Sequence, residues 1–211
     1  MPDAAELGRA LRSRVADERV LAALESVRRD AFVPEHLRAR AWDNGPLPIG
    51  DGQTISQPLA VAHMCELLAV APTDRVLDVG TGSGYHAAVL AWLGAHVWTI
   101  ELRQRLAAVA RAALDRAGVT NVTACVGDGC AGLPDQAPFD AINVAAAGEE
   151  AQLAALLDQL APSGRLVAPV GTDQQTLVRY ARGADGLVRT EHGRVRFVPL
   201  VSAPPPGADW A

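Results

Sequence analysis

Val76-Leu77-Asp78-Val79-Gly80-Thr81-Gly82-Ser83-Gly84-Tyr85 carries a buried apolar run straight into a glycine-rich turn and on into an Ala/Leu-rich segment. That order predicts a strand, a tight loop and a helix whose exposed N-terminal amides let a ligand approach the backbone closely. Outward from it the same texture repeats. Apolar, β-branched runs at Arg75–Val79, His96–Ile100, Val122–Val126, Ala141–Val144 and Leu166–Val170 predict strands, and Tyr85–Leu93, Gln104–Ala117 and Glu150–Leu160 predict helices. Strand–helix alternation specifies a mostly parallel sheet covered on both faces. Two later runs, Thr176–Ala181 and Val195–Val201, predict antiparallel additions joined across a polar turn at Gly183–Gly186.

Upstream, Leu7, Leu11, Val15, Val20, Leu24 and Val27 recur at helical spacing between Ala4 and Arg40, until Phe32-Val33-Pro34 breaks the pattern. Asp43–Gln57 reads as a long loop rich in Gly, Pro and Asp, and the apolar Leu47 and Ile49 inside it favour a functional loop over a mere connection. Pro58 then opens a helix over Leu59–Val70. The expected organisation is a helical cap with its loop (1–71), an α/β domain (72–202) and a proline-rich tail (203–211) of polyproline or irregular conformation.

The 211 residues suit one domain with at most a small appendage. Apolar residues at 49% and charged residues at 20% exclude wholesale disorder. All 19 basic residues are Arg, and 24 acids leave a net charge of −5, which disfavours a general nucleic-acid binder. The richest apolar run, Ala87–Leu93, falls far short of the roughly 18 residues that cross a bilayer, and the first residues carry no secretory pattern. Cys65, Cys125 and Cys130 form no metal or disulfide framework and suit a reducing, cytoplasmic setting. No histidine spacing builds a metal site or a triad, and His86, beside Tyr85, reads as a solvent-facing side chain.

The glycine loop does not fit a dinucleotide fingerprint, because Tyr85 stands where the third glycine of G-x-G-x-x-G belongs. What stands is an acid, Asp78, followed by G-x-G-x-G, with Thr81 and Ser83 between Gly80, Gly82 and Gly84. That spacing resembles motif I of the S-adenosylmethionine-dependent methyltransferases. Two further acids fall at strand ends: Glu101, placed to accept ribose hydroxyls, and Asp128 in Gly127-Asp128-Gly129, placed at an adenine edge.

Gly50 to Pro58, G-D-G-Q-T-I-S-Q-P, followed after a helix by V-L-D-V-G-T-G-S-G-Y, resembles the protein-L-isoaspartate O-methyltransferase family. So do G-D-G at Gly127–Gly129, A-P-F-D at Ala137–Asp140, Q-L-A-P-S-G-R-L-V-A-P-V-G at Gln159–Gly171 and F-V-P-L at Phe197–Leu200, and the likeness covers about Arg28 to Leu200. It implies a Rossmann-like class I methyltransferase fold: a mostly parallel seven-stranded sheet flanked by helices, with an N-terminal helical cap. It implies S-adenosylmethionine as cofactor, held by Gln53, Thr54, Asp78, Gly80–Gly84, Glu101, Leu102 and Gly127–Gly129. It implies Ser56 as the active-site residue, with Ile49, Ile55, Phe197 and Val198 toward the substrate, the last two offering backbone to an extended peptide. Ser56 also reads as a helix N-cap ahead of Pro58.

The implied activity is methylation of the free α-carboxylate of L-isoaspartyl residues in proteins or peptides, a repair reaction, with neither nucleic-acid nor membrane partner; the sequence leaves the oligomeric state open and favours a monomer. A carboxylate is already ionised at neutral pH, so no general base is needed and alignment is the enzyme's main contribution. Two features depart from the family: Val201-Ser202 and three prolines follow F-V-P-L, and Gly148–Gln152 has no proline. They leave room for an enzyme dedicated to one Asp-containing precursor peptide. A non-catalytic S-adenosylmethionine-binding module and a hydride-transferring enzyme are weaker alternatives.

Overall fold

Asp3 and Asp17 start the first two helices, each accepting a hydrogen bond from a first-turn amide (Glu6 N and Arg19 N, both 2.8 Å). In the computed structural model, which describes residues 3–203, these are α1 (Ala4–Leu11) and α2 (Glu18–Ser26). The helical pattern then shortens to two 3₁₀ segments, Arg29–Phe32 and Glu35–Arg40, on either side of Pro34.

Asp43–Gln57 is not the irregular loop expected. It contains an antiparallel hairpin of β1 (Leu47–Gly50) and β2 (Gln53–Ile55), with Leu47 opposite Ile55. Asp51 and Gly52 turn it with φ of +51° and +70°, the pair of positive values a tight two-residue hairpin requires. α3 follows (Pro58–Leu68), its start capped by Asn44, whose side-chain oxygen accepts from Leu59 N at 3.1 Å. Gln57, not Ser56, holds the N-cap position.

The remaining elements are β3 (Arg75–Val79), α4 (Tyr85–Leu93), β4 (His96–Glu101), α5 (Gln104–Arg116), β5 (Val122–Val126), β6 (Phe139–Val144), α6 (Ala154–Asp158), β7 (Leu160–Val170), β8 (Gln175–Gly183) and β9 (Gly186–Val195). The sheet runs β5-β4-β3-β6-β7-β8-β9, parallel through β7 and antiparallel at β8 and β9. It is the expected seven-stranded, mostly parallel sheet.

Two boundaries need correction. The helix expected over Glu150–Leu160 is a 3₁₀ turn (Glu150–Leu153) plus the five residues of α6, because β7 already begins at Leu160. The strand expected at Val195–Val201 lies earlier: Gly183 pairs with Gly186 across a two-residue turn, so β9 starts at once, and Phe197–Leu200 instead runs beside Ala147. The proline-rich stretch 204–207 lies outside the described residues.

Alternation along the strands divides the core. Val76, Val97, Ala141 and Val167 face α3 and α4 and share one apolar cluster with Leu7, Leu11, Leu21 and Leu24 of the cap. Leu77, Val79, Ile142 and Val144 face the other way, onto Leu153 and Leu156. The cap is therefore continuous with one face of the sheet rather than a separate body.

Candidate active site

Chain order reverses at β3, with β4 on one side and β6 on the other, and ligands of open α/β sheets bind outside the strand ends at such a point. Here the loops after four strands converge. Gly80–Ser83 follow β3, Ile100–Arg103 close β4, Gly129 lies beyond β5 and Ala145–Ala146 beyond β6. They line an open cleft, roofed by Gln53–Ser56 of the hairpin and by Val198–Val201. An ion pair between Arg105 and Asp51, 2.9 Å, ties the hairpin turn to the start of α5.

The glycine loop takes φ of +90°, +52° and +87° at Gly80, Gly82 and Gly84. Glu101 fixes it. One carboxylate oxygen accepts from Gly82 N at 2.9 Å and the other from Arg103 N at 3.0 Å. Each oxygen keeps a second lone pair, so the carboxylate can still accept two hydroxyls from a ribose. Ser83 Oγ accepts from Tyr85 N at 3.2 Å, and Gly84 N donates to Thr81 O at 2.8 Å. A diphosphate would find these amides engaged and an acid among them, whereas a zwitterionic amino acid attached to a nucleoside would not be repelled. The residues therefore fit S-adenosylmethionine.

Asp78 does not reach the cleft. It is fully buried behind the loop, because residues 78 and 79 point to opposite faces of β3. Its register partners are Thr99 and Asn143, and both serve it: Asn143 Nδ2 donates at 2.7 Å and Thr99 Oγ1 at 2.8 Å. Thr81 Oγ1 then donates to Thr99 Oγ1 at 2.6 Å, linking the buried acid to the glycine loop. Burial pushes the Asp78 carboxyl up to about 6, against the two hydrogen bonds, which favour the anion.

His86, expected at the surface, is buried on α4 beside the same network. Asn143 Nδ2 lies 3.2 Å from its Nδ1, which therefore accepts, and Nε2 carries the proton toward Cys65 Sγ at 3.6 Å. Burial holds its pKa down at about 3, so it stays neutral.

A ligand that brings a cationic amino group to the loop favours ionised Asp78 over its protonated form. Affinity for S-adenosylhomocysteine is thus expected to rise between pH 5 and 7, with protons released on binding near pH 6. For folding the sign is opposite: the buried anion is a cost above about pH 6, relieved as the group takes up its proton below that. Calorimetric titration in two buffers of different ionisation enthalpy measures the proton release; Asp78→Asn should abolish it.

Of the other sequence-predicted residues, Gln53, Thr54, Ile55, Ser56, Leu102, Gly129 and Val198 line the cleft. Ile49 faces Gly82, where an added methyl would meet its Cδ1 at 3.5 Å. Gly127 and Asp128 stand back from the lining. Asp128 accepts from Cys130 N at 2.8 Å on one carboxylate oxygen and from Ala203 N at 2.9 Å on the other, so the C-terminal segment lies against the acid expected at the adenine edge. Phe197 does not offer free backbone: its N–H donates to Gln175 Oε1 at 2.6 Å, and its carbonyl accepts from Gln175 Nε2 at 3.1 Å. Val198 O likewise accepts from Ala147 N at 2.8 Å.

Ser56 Oγ makes no hydrogen bond among the described residues and lines the cleft half-exposed. Its carbonyl is held, at 3.0 Å, by a residue the sequence did not single out: Arg29, whose guanidinium is completely buried. Burial lowers that group to about 10, leaving it charged at neutral pH.

Residues 5–204 match the pattern of the family described as protein-L-isoaspartate(D-aspartate) O-methyltransferase. A protein-L-isoaspartate O-methyltransferase of Roseiflexus castenholzii is 54% identical over 192 residues, covering 90% of this chain and 88% of that one. One from Paracoccus denitrificans is 52% identical over 195 residues, covering 91% and 90%. Among solved structures, a protein-L-isoaspartate O-methyltransferase superposes with a TM-score of 0.84 at 25% identity, covering 92% of this chain and 65% of that longer one. A Plasmodium falciparum protein described as a putative member, in complex with S-adenosyl-L-homocysteine, shares the fold at a TM-score of 0.82 and 24% identity, covering 95% and 99%.

Proposed function

The chain belongs to the protein-L-isoaspartate(D-aspartate) O-methyltransferase family, and we propose from the geometry of its cleft how it methylates the free α-carboxylate of L-isoaspartyl residues. One observation supports this reading above others: the hairpin sets Ser56 in the same cleft as the glycine loop and Glu101. S-adenosylmethionine supplies a methyl group on a sulfonium, which leaves as a neutral thioether when the carboxylate oxygen attacks.

The chain's own residues align and desolvate. Glu101 and the loop it braces hold the nucleoside and amino-acid ends. Ser56 Oγ donates to one oxygen of the incoming carboxylate and leaves the other free to attack, so the nucleophile is oriented without being neutralised. No side chain has to remove a proton, which agrees with the weak basicity of His86, whose pKa burial holds at about 3. The resulting ester is a better acyl donor than the acid. Attack by the following backbone amide expels methanol and gives a succinimide, whose hydrolysis partly restores a normal aspartyl linkage. Free thiols at Cys65, Cys125 and Cys130 support work in a reducing cytoplasm.

The test is methyl transfer from labelled S-adenosylmethionine to two peptides differing only in L-isoaspartate against L-aspartate. Labelling confined to the first is expected; labelling of neither, with S-adenosylhomocysteine still bound, would move the substrate to a dedicated precursor. S-adenosylhomocysteine should raise the melting temperature and NAD should not. Ser56→Ala is expected to lower kcat/KM about 10–100-fold, the worth of one hydrogen bond to a charged group, with S-adenosylhomocysteine affinity nearly unchanged. An equal loss of affinity would make Ser56 structural instead.

A further inference from the structure

Arg29 spends its hydrogen bonds on the main chain alone. Nη1 donates to Ala41 O at 2.5 Å and to Asp43 O at 3.3 Å; Nη2 donates to Gly45 O at 2.9 Å and to Ser56 O at 3.0 Å. No carboxylate forms an ion pair with it among the described residues. Its guanidinium carbon lies 5.8 Å from the centroid of the Tyr85 ring, and Tyr85 is itself buried against the cleft at the start of α4. One planar group thus clamps the two ends of the hairpin segment, 41–45 entering and Ser56 leaving, onto the helix that follows the glycine loop.

We propose that Arg29 is the positioning residue for Ser56 in the carboxylate-methylating reaction, fixing the neck of the hairpin so that the hydroxyl meets the substrate in one place relative to the cofactor loop. This rests on the function proposed above. Gln57, extended at ψ +134° before Pro58, holds the residue from the other side, so the Ser56 peptide has little freedom once its carbonyl is bound. Four carbonyls in two chain segments need a flat fork of donors. An ammonium is a single point and cannot span them, so lysine keeps the charge but loses the clamp. Misplacement by about 1 Å at a reacting group can cost on the order of a hundredfold in rate, so a residue with no substrate contact can still set kcat.

The test compares Arg29→Lys and Arg29→Gln with the wild type, using an L-isoaspartyl peptide and, separately, S-adenosylhomocysteine. Both variants are expected to lose about tenfold or more in kcat, with the dissociation constant for S-adenosylhomocysteine changed less than about threefold. Full activity in Arg29→Lys would show that only a positive charge is required and would overturn the assignment. So would a parallel loss of S-adenosylhomocysteine affinity, which would make Arg29 a support of the whole cleft. Hydrogen exchange on the wild type needs no variant to fold: the Leu59 amide, which donates to Asn44 Oδ1 at 3.1 Å between the carbonyls that Arg29 holds, should exchange as slowly as the interior of α3, and fast exchange there would sink the clamp. If the wild type leaves the isoaspartyl peptide unlabelled, the substrate reading fails first, and the exchange measurement still judges the clamp.

Discussion

Gly84→Val is expected to lower stability by about 3 kcal/mol and to remove measurable S-adenosylhomocysteine binding. Gly84 caps α4 with φ at +87°, a region that β-branched residues scarcely enter. A side chain there meets a second obstacle. An added Cβ would lie 3.3 Å from Leu114 Cγ and 3.4 Å from the Ala110 carbonyl oxygen, both on α5. Relief requires either turning the loop or prising α4 from α5, and each displaces the amides that Glu101 and Thr81 hold. Urea unfolding followed by circular dichroism, with calorimetric titration of the ligand, reads both effects. A midpoint equal to wild type would show that the loop tolerates the turn without glycine.

Arg165→Ala is expected to cost roughly 3–5 kcal/mol, because it strands a buried partner. Arg165 stands on β7 beside β6 and is almost enclosed, with only 12% of its side chain exposed and 11% of that of Asp74. It pairs with Asp74 and with the carbonyl of Leu68, donates to Ala69 O at 2.6 Å, and donates to Asp140 O at 2.9 Å. Those carbonyls include the open end of α3, whose last turn closes through Ala69 at φ +47°. Removing the guanidinium leaves an acid and several carbonyls without their donor. A loss of this size is a large fraction of the roughly 5–15 kcal/mol that holds a domain folded. Thermal and urea unfolding of Arg165→Ala beside Asp74→Asn/Arg165→Ala would apportion it. The double variant should recover part of the loss, and no recovery would mean that the orphaned carbonyls, not Asp74, carry the cost.

The central sheet was legible because parallel strands buried on both faces are written as near-continuous apolar runs, as at Val76–Val79 and Ala141–Val144, each interrupted by a single polar residue, Asp78 and Asn143. β9 was not, for the opposite reason. Almost all of its residues are exposed on both faces, so Gly186–Val195 has neither an apolar run nor an alternation, and only its pairing with β8 makes it a strand. The hairpin inside Asp43–Gln57 did leave a signal, the Asp51-Gly52 dipeptide between short apolar strands, which the density of other loop residues concealed. In the site, the loop residues and Glu101 were legible from spacing, since a strand end and a helix start fix their neighbourhood. Asp78 required the pleat: its place in the motif suggests a ligand, its parity on β3 turns it away. Arg29 sits in an Arg28-Arg29-Asp30 run that reads as surface charge, and nothing local distinguishes the exposed Arg28 from the buried Arg29. His86 and Asn143 likewise acquire their meaning only from strands and helices that meet in space.

The open flank of the sheet has its own consequence for how the protein behaves in a crowd of its kind. β9 presents ten residues of backbone whose outer row pairs with no strand among the described residues, the arrangement that recruits stray strands into aggregates. Leu187 and Val188 are exposed there, yet Arg189, Glu191, His192 and Arg194 follow at once. Arg189 is already committed to Glu150 and Glu191, each at 2.7 Å, and Gly193 breaks the pleat with φ at +91°. A strand arriving from another molecule would have to strip water from these charges and follow an irregular edge. The flank therefore acts as its own gatekeeper, sparing the sheet a covering helix on that side.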